Sequence, residues 1–284
     1  MGLKSYILRG IRYVLRGIPE VNLKTEIVSL ANNELLKGRT ALITGGTSGI
    51  GFAIADAFLG AGANVFISGR DKYRIDNAIR NLKDKHLDAN IAGLVLNNIN
   101  IDQTNAALDQ ILKTCSFDIL VNNAGINGGL LNSCSEEEYQ NVMDTNLKGA
   151  IFITRVIAND MINKGIKGNI LNICSSSSLR PANTAYALSK WGMRAYTLGL
   201  AKSLIKKGIV VNGIAPGPTV TPMLVKEGIS NIYLPNNPSG RYALPEEIAN
   251  MAVVLTSGMA RMIVGDIVYI TGGAGIITYD DITC

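Results

Sequence analysis

From residue 38 onward, short apolar runs alternate with longer amphipathic stretches. Seven of the runs have the uninterrupted apolar character of buried strands: TALIT, NVFIS, IAGLVL, DILVNN, GNILNIC, IVVNGI and DIVYIT. The segments between them carry apolar residues at helical spacing, at 49–61, 75–84, 104–114, 136–164 and 185–206. Apolar strands separated by helices predict an α/β fold, with a doubly wound, seven-stranded parallel sheet covered on both faces.

Residues 1–38 follow a different pattern. Apolar residues recur at helical spacing before Pro19, with arginines on the other side; the two sets are Leu3, Ile7, Ile11, Val14, Leu15 and Ile18 against Arg9, Arg12 and Arg16. This predicts a basic amphipathic helical extension. Such a helix packs on its own domain or on a partner subunit, lies on an anionic membrane surface through residues 1–18, or stays disordered. The rest, 39–284, shows no internal repeat or linker and is expected to be a single domain.

The composition limits the kinds of functional site that we expect. The 284 residues are 47% hydrophobic and 17% charged, which is typical of a globular protein with a large core. Four scattered cysteines and the single His86 give no metal-ligand spacing, so we expect no metal site; His86 falls in LKDKHLD, a predicted solvated helix end. Much of the net charge of +5 lies in the extension, which argues against a nucleic-acid surface on the main domain. We expect a cytoplasmic protein, with peripheral membrane contact as an option.

The stretch TGGTSGIG follows the first strand and opens the first helix. Gly45, Gly49 and Gly51 allow unusual backbone dihedrals and a close approach of the backbone to a pyrophosphate. The helix that follows offers unpaired N–H groups and a positive dipole to the phosphates. Strand, glycines and helix together predict a dinucleotide site.

TGGTSGIG also has the TGxxxGxG form of the short-chain dehydrogenase/reductase family. The resemblance runs from about residue 38 to 279 and is supported by NNAG at 122–125, TN at 145–146, Tyr186-x-x-x-Lys190, PG at 216–217 and GG at 272–273. It implies a Rossmann fold, an NAD(P)-dependent oxidoreductase acting on CH–OH groups, and a homotetramer or homodimer. The cofactor-binding set it implies is Gly45, Thr47, Ser48, Gly49, Ile50, Gly51, Asn123, Ala124, Gly125, Tyr186, Lys190, Pro216, Gly217, Thr219 and Thr221.

The end of the second strand bears on the choice of cofactor. An acid there would bind the ribose hydroxyls of NAD and repel a 2′-phosphate, but this chain has Gly69 followed by Arg70. Because arginine makes charge-assisted contacts with phosphate, NADP(H) is favoured over NAD(H). Asp71 also suits a helix N-cap. The family's adenine-binding aspartate aligns with Asn100, so that contact is uncertain.

Tyr186 and Lys190 are four residues apart, so they can face one cleft from a single helix. By resemblance, Tyr186 is the general acid in carbonyl reduction and Lys190 supports it while holding the nicotinamide ribose. Asn146 is expected to position a water, or alternatively to stabilise a kink in its helix. The serine that polarises the carbonyl matches Ser175 through the NICS pattern, in a loop two residues shorter than usual; Ser176 or Ser177 is the alternative.

These patterns lead to an NADP(H)-dependent oxidoreductase that interconverts a carbonyl and a secondary alcohol. Within the family the chain resembles 3-oxoacyl-(acyl-carrier-protein) reductases and sugar or polyol dehydrogenases, so the substrate is a small molecule or is carrier-bound. A sugar or sugar-nucleotide oxidoreductase of surface-polysaccharide synthesis is the second interpretation, and a cofactor-binding scaffold without turnover is the third. Residues 218–243 are the predicted substrate lid.

Overall fold

The computed structural model describes residues 34–223 and 231–277, and in it seven strands form one parallel sheet. The strands are β1 (Thr40–Ile43), β2 (Asn64–Gly69), β3 (Ile91–Val95), β4 (Ile119–Asn122), β5 (Asn169–Ile173), β6 (Val210–Pro216) and β7 (Ile267–Ile270). Their order is β3-β2-β1-β4-β5-β6-β7, and every neighbouring pair runs parallel. The predicted doubly wound fold is confirmed. Because the order reverses between β1 and β4, a crevice opens at the carboxyl ends of the strands.

Helices cover both faces of this sheet. They are α1 (Gly49–Gly60), α2 (Lys72–Lys85), α3 (Ile101–Ile111), α4 (Glu136–Met143), α5 (Gly149–Asn163), α6 (Ala185–Leu204) and α7 (Pro245–Thr256). The single helix predicted over 136–164 is interrupted, because a π-helical turn at Asp144–Lys148 separates α4 from α5. The other predicted helices are present, and α7 completes the set.

Alternate residues of each strand supply the two cores. Ile43 of β1 packs with α1, α2 and α7 on one face, whereas the adjacent Leu42 packs with α3, α5 and α6 on the other. Both side chains are fully buried. This alternation is what a strand covered on both sides requires.

The packed domain begins before residue 39. Leu36 is fully buried in the core, and its N–H donates to the carbonyl of Ala61 at 3.0 Å. Residues 34–38, which the sequence places in the extension, therefore pack on the domain. The predicted amphipathic helix, part of the predicted lid and Cys284 lie outside the described residues. Among the helices within 34–223 and 231–277, none is long and apolar enough to cross a membrane.

His86 forms the C-cap of α2, as the sequence predicts for a helix end. Its imidazole is paired rather than simply solvated, since Nε2 lies 2.6 Å from Oδ1 of Asp56. His86 is therefore a structural residue of the α1–α2 contact, far from the carboxyl ends of the strands.

Candidate active site

A cleft of about 820 Å³ opens at the carboxyl edge of the sheet, lined by the loops that follow its strands. It brings together nearly all of the residues singled out from the sequence: Gly45, Thr47, Ser48, Gly49, Ile50, Arg70, Asn123, Ala124, Gly125, Ser175, Tyr186, Lys190, Pro216, Gly217, Thr219 and Thr221. Of that predicted set, Gly51 and Asn146 lie behind the wall rather than in it.

The loop after β1 needs its glycines for two separate reasons. Gly45 and Gly49 have φ of +63° and +55°, a region that side chains disfavour. Gly51 is required for a steric reason, because a Cβ there would lie 2.3 Å from Nδ2 of Asn123 and 2.4 Å from the carbonyl oxygen of Gly45. The glycines thus let the loop fold tightly and expose its backbone to the cleft.

The N-terminus of α1 is prepared for an anion. Ser48 occupies the N-cap position, but its side chain makes no capping hydrogen bond and the first turn holds no acidic residue. By contrast, the first turns of α2 and α6 are capped by Asp71 and Thr184. The open N–H groups of α1, together with the glycine cradle, fit a pyrophosphate.

Asn123 ties the glycine loop to the end of β4. Its Nδ2 donates to the carbonyls of Thr44 and Gly45 at 3.0 and 2.9 Å, and its own N–H donates to the Thr44 hydroxyl at 3.0 Å. The neighbouring Asn122 acts within the sheet, donating to Asn172 and to Thr154. The two asparagines therefore have different roles. Asn122 holds β4 within the sheet, and Asn123 holds the glycine loop against the end of β4.

Two arginines line the cleft beyond β2. Arg70 follows the strand, and Arg74 comes one helical turn later on α2. Asp71 is the N-cap of α2, accepting from the N–H groups of Tyr73 and Arg74 at 2.8 and 3.2 Å. Its carboxylate is thus engaged by the helix, as the sequence suggested. Arg74 was not predicted, because Arg70 lies before the N-cap of α2 and helical spacing does not relate the two residues.

The loop after β3 corrects one expectation. Asn100, which the sequence aligns with the adenine contact, caps α3 through its side chain, accepting from the N–H of Gln103 at 3.0 Å. Asn97 and Asn98 line the cleft instead. The buried Asn98 also donates to the carbonyl of Thr145, linking this loop to the π-helical turn.

Tyr186 and Lys190 face the cleft from the first turns of α6. The ammonium of Lys190 lies 5.7 Å from the centroid of the Tyr186 ring and donates to the carbonyl of Ile173 at 2.8 Å. Lys190 is only 5% exposed and forms no ion pair with any residue of the described ranges. An ammonium has three donors, so the remaining N–H groups are available to a ligand in the cleft.

Asn146 sits in the π-helical turn behind this pair. Its side chain both accepts from the N–H of Ile126 at 2.8 Å and donates to the carbonyl of Ile126 at 2.9 Å. It also donates to the hydroxyl of Ser189 at 3.1 Å. These contacts match the kink-stabilising alternative and join the loop after β4 to α6, one residue from Lys190.

Three serines of the loop after β5 line the cleft, namely Ser175, Ser176 and Ser177. Ser175 Oγ accepts from the N–H of Ser177 at 3.1 Å and lies 3.2 Å from its hydroxyl. Ser178 is turned inward, donating to the carbonyl of Ser175 at 2.7 Å. Burial raises the pKa of the adjacent Cys174 thiol, so this cysteine stays protonated.

Close packing fixes the far wall, after β6. A Cβ on Gly217 would lie 2.8 Å from the Cα of Thr271. The predicted lid is anchored behind this wall by Arg241, whose guanidinium makes a two-pronged pair with Glu247 at 2.7 and 2.8 Å. That contact holds the pKa of the Glu247 carboxyl below its usual value. In the described part of the chain, no group of three or more His, Cys, Asp or Glu could hold a metal ion.

Comparison with known proteins agrees with this geometry. The family model described as short chain dehydrogenase matches residues 39–230. The chain is 36% identical over 247 residues to a 3-oxoacyl-[acyl-carrier-protein] reductase of Chlamydia muridarum, covering 85% of this chain and 99% of that protein. It is 35% identical over 246 residues to a 3alpha-hydroxysteroid dehydrogenase of Mediterraneibacter gnavus, covering 84% and 98%.

A solved structure is similar as well. A gluconate 5-dehydrogenase of Burkholderia cenocepacia, in complex with NADP and tartrate, superposes with a TM-score of 0.77 at 31% identity, over 85% of this chain and 97% of that one. The chain belongs to the short-chain dehydrogenase family. It is an oxidoreductase that acts on hydroxyl or carbonyl groups.

Proposed function

We propose that this protein is an NADP(H)-dependent reductase that interconverts a carbonyl and a secondary alcohol, with a 3-oxoacyl thioester as the leading substrate class. The observation that carries the proposal is the single cleft shared by the glycine cradle and the Tyr186–Lys190 pair. The first would hold a dinucleotide, and the second is a proton donor with a buried cation beside it.

The cradle fits a nicotinamide dinucleotide by shape and charge. Gly45, Gly49 and the open end of α1 would hold its pyrophosphate, and Lys190 its nicotinamide ribose. When bound, the cofactor supplies or accepts a hydride.

The chain's own residues handle the proton and the carbonyl. In reduction, the Tyr186 hydroxyl gives its proton to the carbonyl oxygen of the substrate, which becomes the alcohol. The Lys190 ammonium stabilises the phenolate that Tyr186 leaves behind. Ser175 Oγ donates to the same carbonyl oxygen and polarises it. Asn146 is a positioning residue, because its contacts hold the loop after β4 against α6.

The preference for NADP(H) is supported by charge at the adenosine end. Arg70 and Arg74 both line the cleft there, and Asp71 between them is occupied in capping α2. Gly69 has no side chain to bind ribose hydroxyls; a Cβ at this position would lie 3.1 Å from Cγ2 of Thr47. The two guanidinium groups suit a 2′-phosphate, and Oδ1 of the intervening Asp71 is engaged by N–H groups of α2.

The acyl thioester is supported by the likeness to the Chlamydia reductase, which covers nearly all of that protein. A sugar or sugar-nucleotide substrate is the second candidate. Arg180 lines the reaction end of the cleft close to the serine loop, where it could meet a carboxylate or a phosphate. The expected homotetramer or homodimer remains a prediction.

The test is a substrate screen with the purified protein, following NADPH consumption with 3-oxoacyl thioesters, keto-sugars and sugar acids, and repeated with NADH. We expect turnover of a 3-oxoacyl thioester with NADPH and much slower turnover with NADH. Turnover of sugars alone would select the second candidate, and a clear preference for NADH would contradict the role of the two arginines.

A further inference from the structure

The face opposite the cleft carries side chains that the proposed reaction does not use. We call it the basal face. It is formed at the amino ends of the strands by residues 34–39, 61–63, 86–90, 112–118, 164–168, 205–209 and 257–266. The strand register places these segments on one edge, since Ile119 pairs with Asn169 and Asn169 with Val210.

An apolar loop projects from this face. In the loop 259–264, Met262 is 95% exposed and Met259 is 72% exposed, and Ile263 and Val264 are exposed as well. The loop is anchored from beneath, because Ala260 is buried and the N–H of Gly265 donates to the carbonyl of Val211 at 2.8 Å. Single exposed apolar residues are ordinary, but four of them within six positions of an anchored loop indicate an interaction surface.

The basal face is also rich in basic residues, although Lys37 and Lys164 are paired with Glu34 and Asp160. The basal face holds eight basic and four acidic residues: Lys37, Arg39, Lys113, Lys164, Lys167, Lys206, Lys207 and Arg261 against Glu34, Asp88, Asp118 and Asp266. Lys113, Lys167, Lys206 and Lys207 are exposed and form no ion pair with any residue that the structure describes. The guanidinium of Arg261 lies against the carbonyl of Lys167, next to the loop.

The N-terminal extension is attached to this same face. The described chain begins at Glu34, and Arg39 donates to the carbonyl of Thr256 at 2.7 Å, just before the apolar loop. By sequence, the extension is basic as well, since residues 1–18 carry Lys4, Arg9, Arg12 and Arg16. Like charges oppose docking of the extension on the basic face, and they also oppose docking of a second copy of the face on itself. An anionic surface attracts the basic residues of the basal face and those of the extension alike.

We propose that the basal face docks on an anionic lipid membrane. Met259, Met262, Ile263 and Val264 enter the headgroup region, and the lysines of the basal face contact lipid phosphates. Weak apolar insertion combined with a basic cluster gives two signals, which stable membrane anchoring requires. The active-site cleft then faces away from the bilayer and stays open to substrate. This inference does not depend on the substrate or cofactor proposed above.

The test is co-sedimentation of the full chain with vesicles of phosphatidylcholine alone and of phosphatidylcholine mixed with phosphatidylglycerol. The wild type should bind only the anionic vesicles, and less so at high salt. Met262→Asp, and separately Lys206→Glu with Lys207→Glu, should each lower the partition coefficient at least about tenfold. Leu131→Asp, at an exposed position between β4 and α4, and Arg155→Glu, in the middle of α5, are the controls and should bind like the wild type.

Three outcomes would overturn the proposal. The wild type could fail to bind anionic vesicles. The basal variants could bind as well as the wild type, which would assign any binding to residues 1–18 alone. Or Met262→Asp could change the mass in analytical ultracentrifugation and leave vesicle binding intact, which would make a second copy of the chain the occupant. Because the Met262 side chain is exposed, Met262→Asp should fold like the wild type, and circular dichroism checks this.

Discussion

The two halves of the cleft are built from different parts of the chain. In the nucleotide half, beyond β1 and β2, the ligand surface is mainly backbone, shaped by glycines and by the uncapped start of α1. In the reaction half, beyond β4 and β5, it is made of side chains, with Tyr186 and Lys190 placed by α6. A backbone cradle needs only local geometry, whereas the side chains need support from three separate elements.

This contrast predicts different failures. Damage to the nucleotide half should weaken cofactor binding and leave the chemistry of the bound complex largely intact. Damage to the reaction half should slow turnover and leave much of the nucleotide affinity. The following substitutions test the division, from the largest expected effect to the smallest.

Lys190→Met should lower kcat by about a thousandfold, because it removes the buried cation that stabilises the tyrosine anion. It should also weaken NADPH binding, since Lys190 is expected to hold the nicotinamide ribose. Steady-state kinetics and fluorescence titration with NADPH measure both effects. Lys202→Met, on the exposed side of α6, is the control. Unchanged kcat in Lys190→Met would remove this residue from the chemistry.

Ser175→Ala should lower kcat by about a hundredfold, the usual cost of losing one donor to a developing oxyanion. Ser177→Ala should cost only a few-fold, because its hydroxyl acts on the substrate only through its hydrogen bond with Ser175. Parallel kinetics on the two variants decide which hydroxyl meets the substrate. The opposite ranking would move the role to Ser177.

Gly51→Ala should weaken NADPH binding by about 30-fold, in line with the roughly 2 kcal/mol that overpacking costs. Its Cβ would overlap Asn123 and the Gly45 carbonyl, which displaces the cradle. The value of kcat at saturating cofactor should change little. Gly199→Ala is the matched control, since a Cβ there meets nothing within 4 Å. Equal NADPH affinities in the two variants would argue against a cradle of this shape.

Arg70→Ala should raise the KM for NADPH by about tenfold and leave the KM for NADH unchanged, because an exposed arginine contributes modestly to phosphate binding. Arg74→Ala should act in the same direction, and the double variant should lose more. Arg80→Ala, further along α2, serves as the control. A parallel rise in both KM values would mean that Arg70 does not read the 2′-phosphate.

The same division explains what the sequence could predict. The seven strands and the glycine cradle depend on local patterns, and they are confirmed by the structure. The π-helical turn was missed because its cause is tertiary: Asn146 bonds Ile126, 20 residues away. Asn100 was aligned with the family's adenine-binding aspartate, and the pattern alone did not show that its side chain caps α3. The sequence also does not decide which serine polarises the carbonyl, because the loop is shorter than usual and packing sets the position of each serine.

The central claim is that the reaction half supplies the proton, and that cofactor binding in the nucleotide half does not require this proton donor. Tyr186→Phe tests this most directly, with NADPH affinity and the rate of NADPH oxidation measured on the same preparation with a substrate found in the screen. We predict that turnover falls by about 10² to 10⁴ while the dissociation constant for NADPH stays within a few-fold of the wild type. Turnover near the wild-type rate in this variant would contradict the assignment of Tyr186 as the acid.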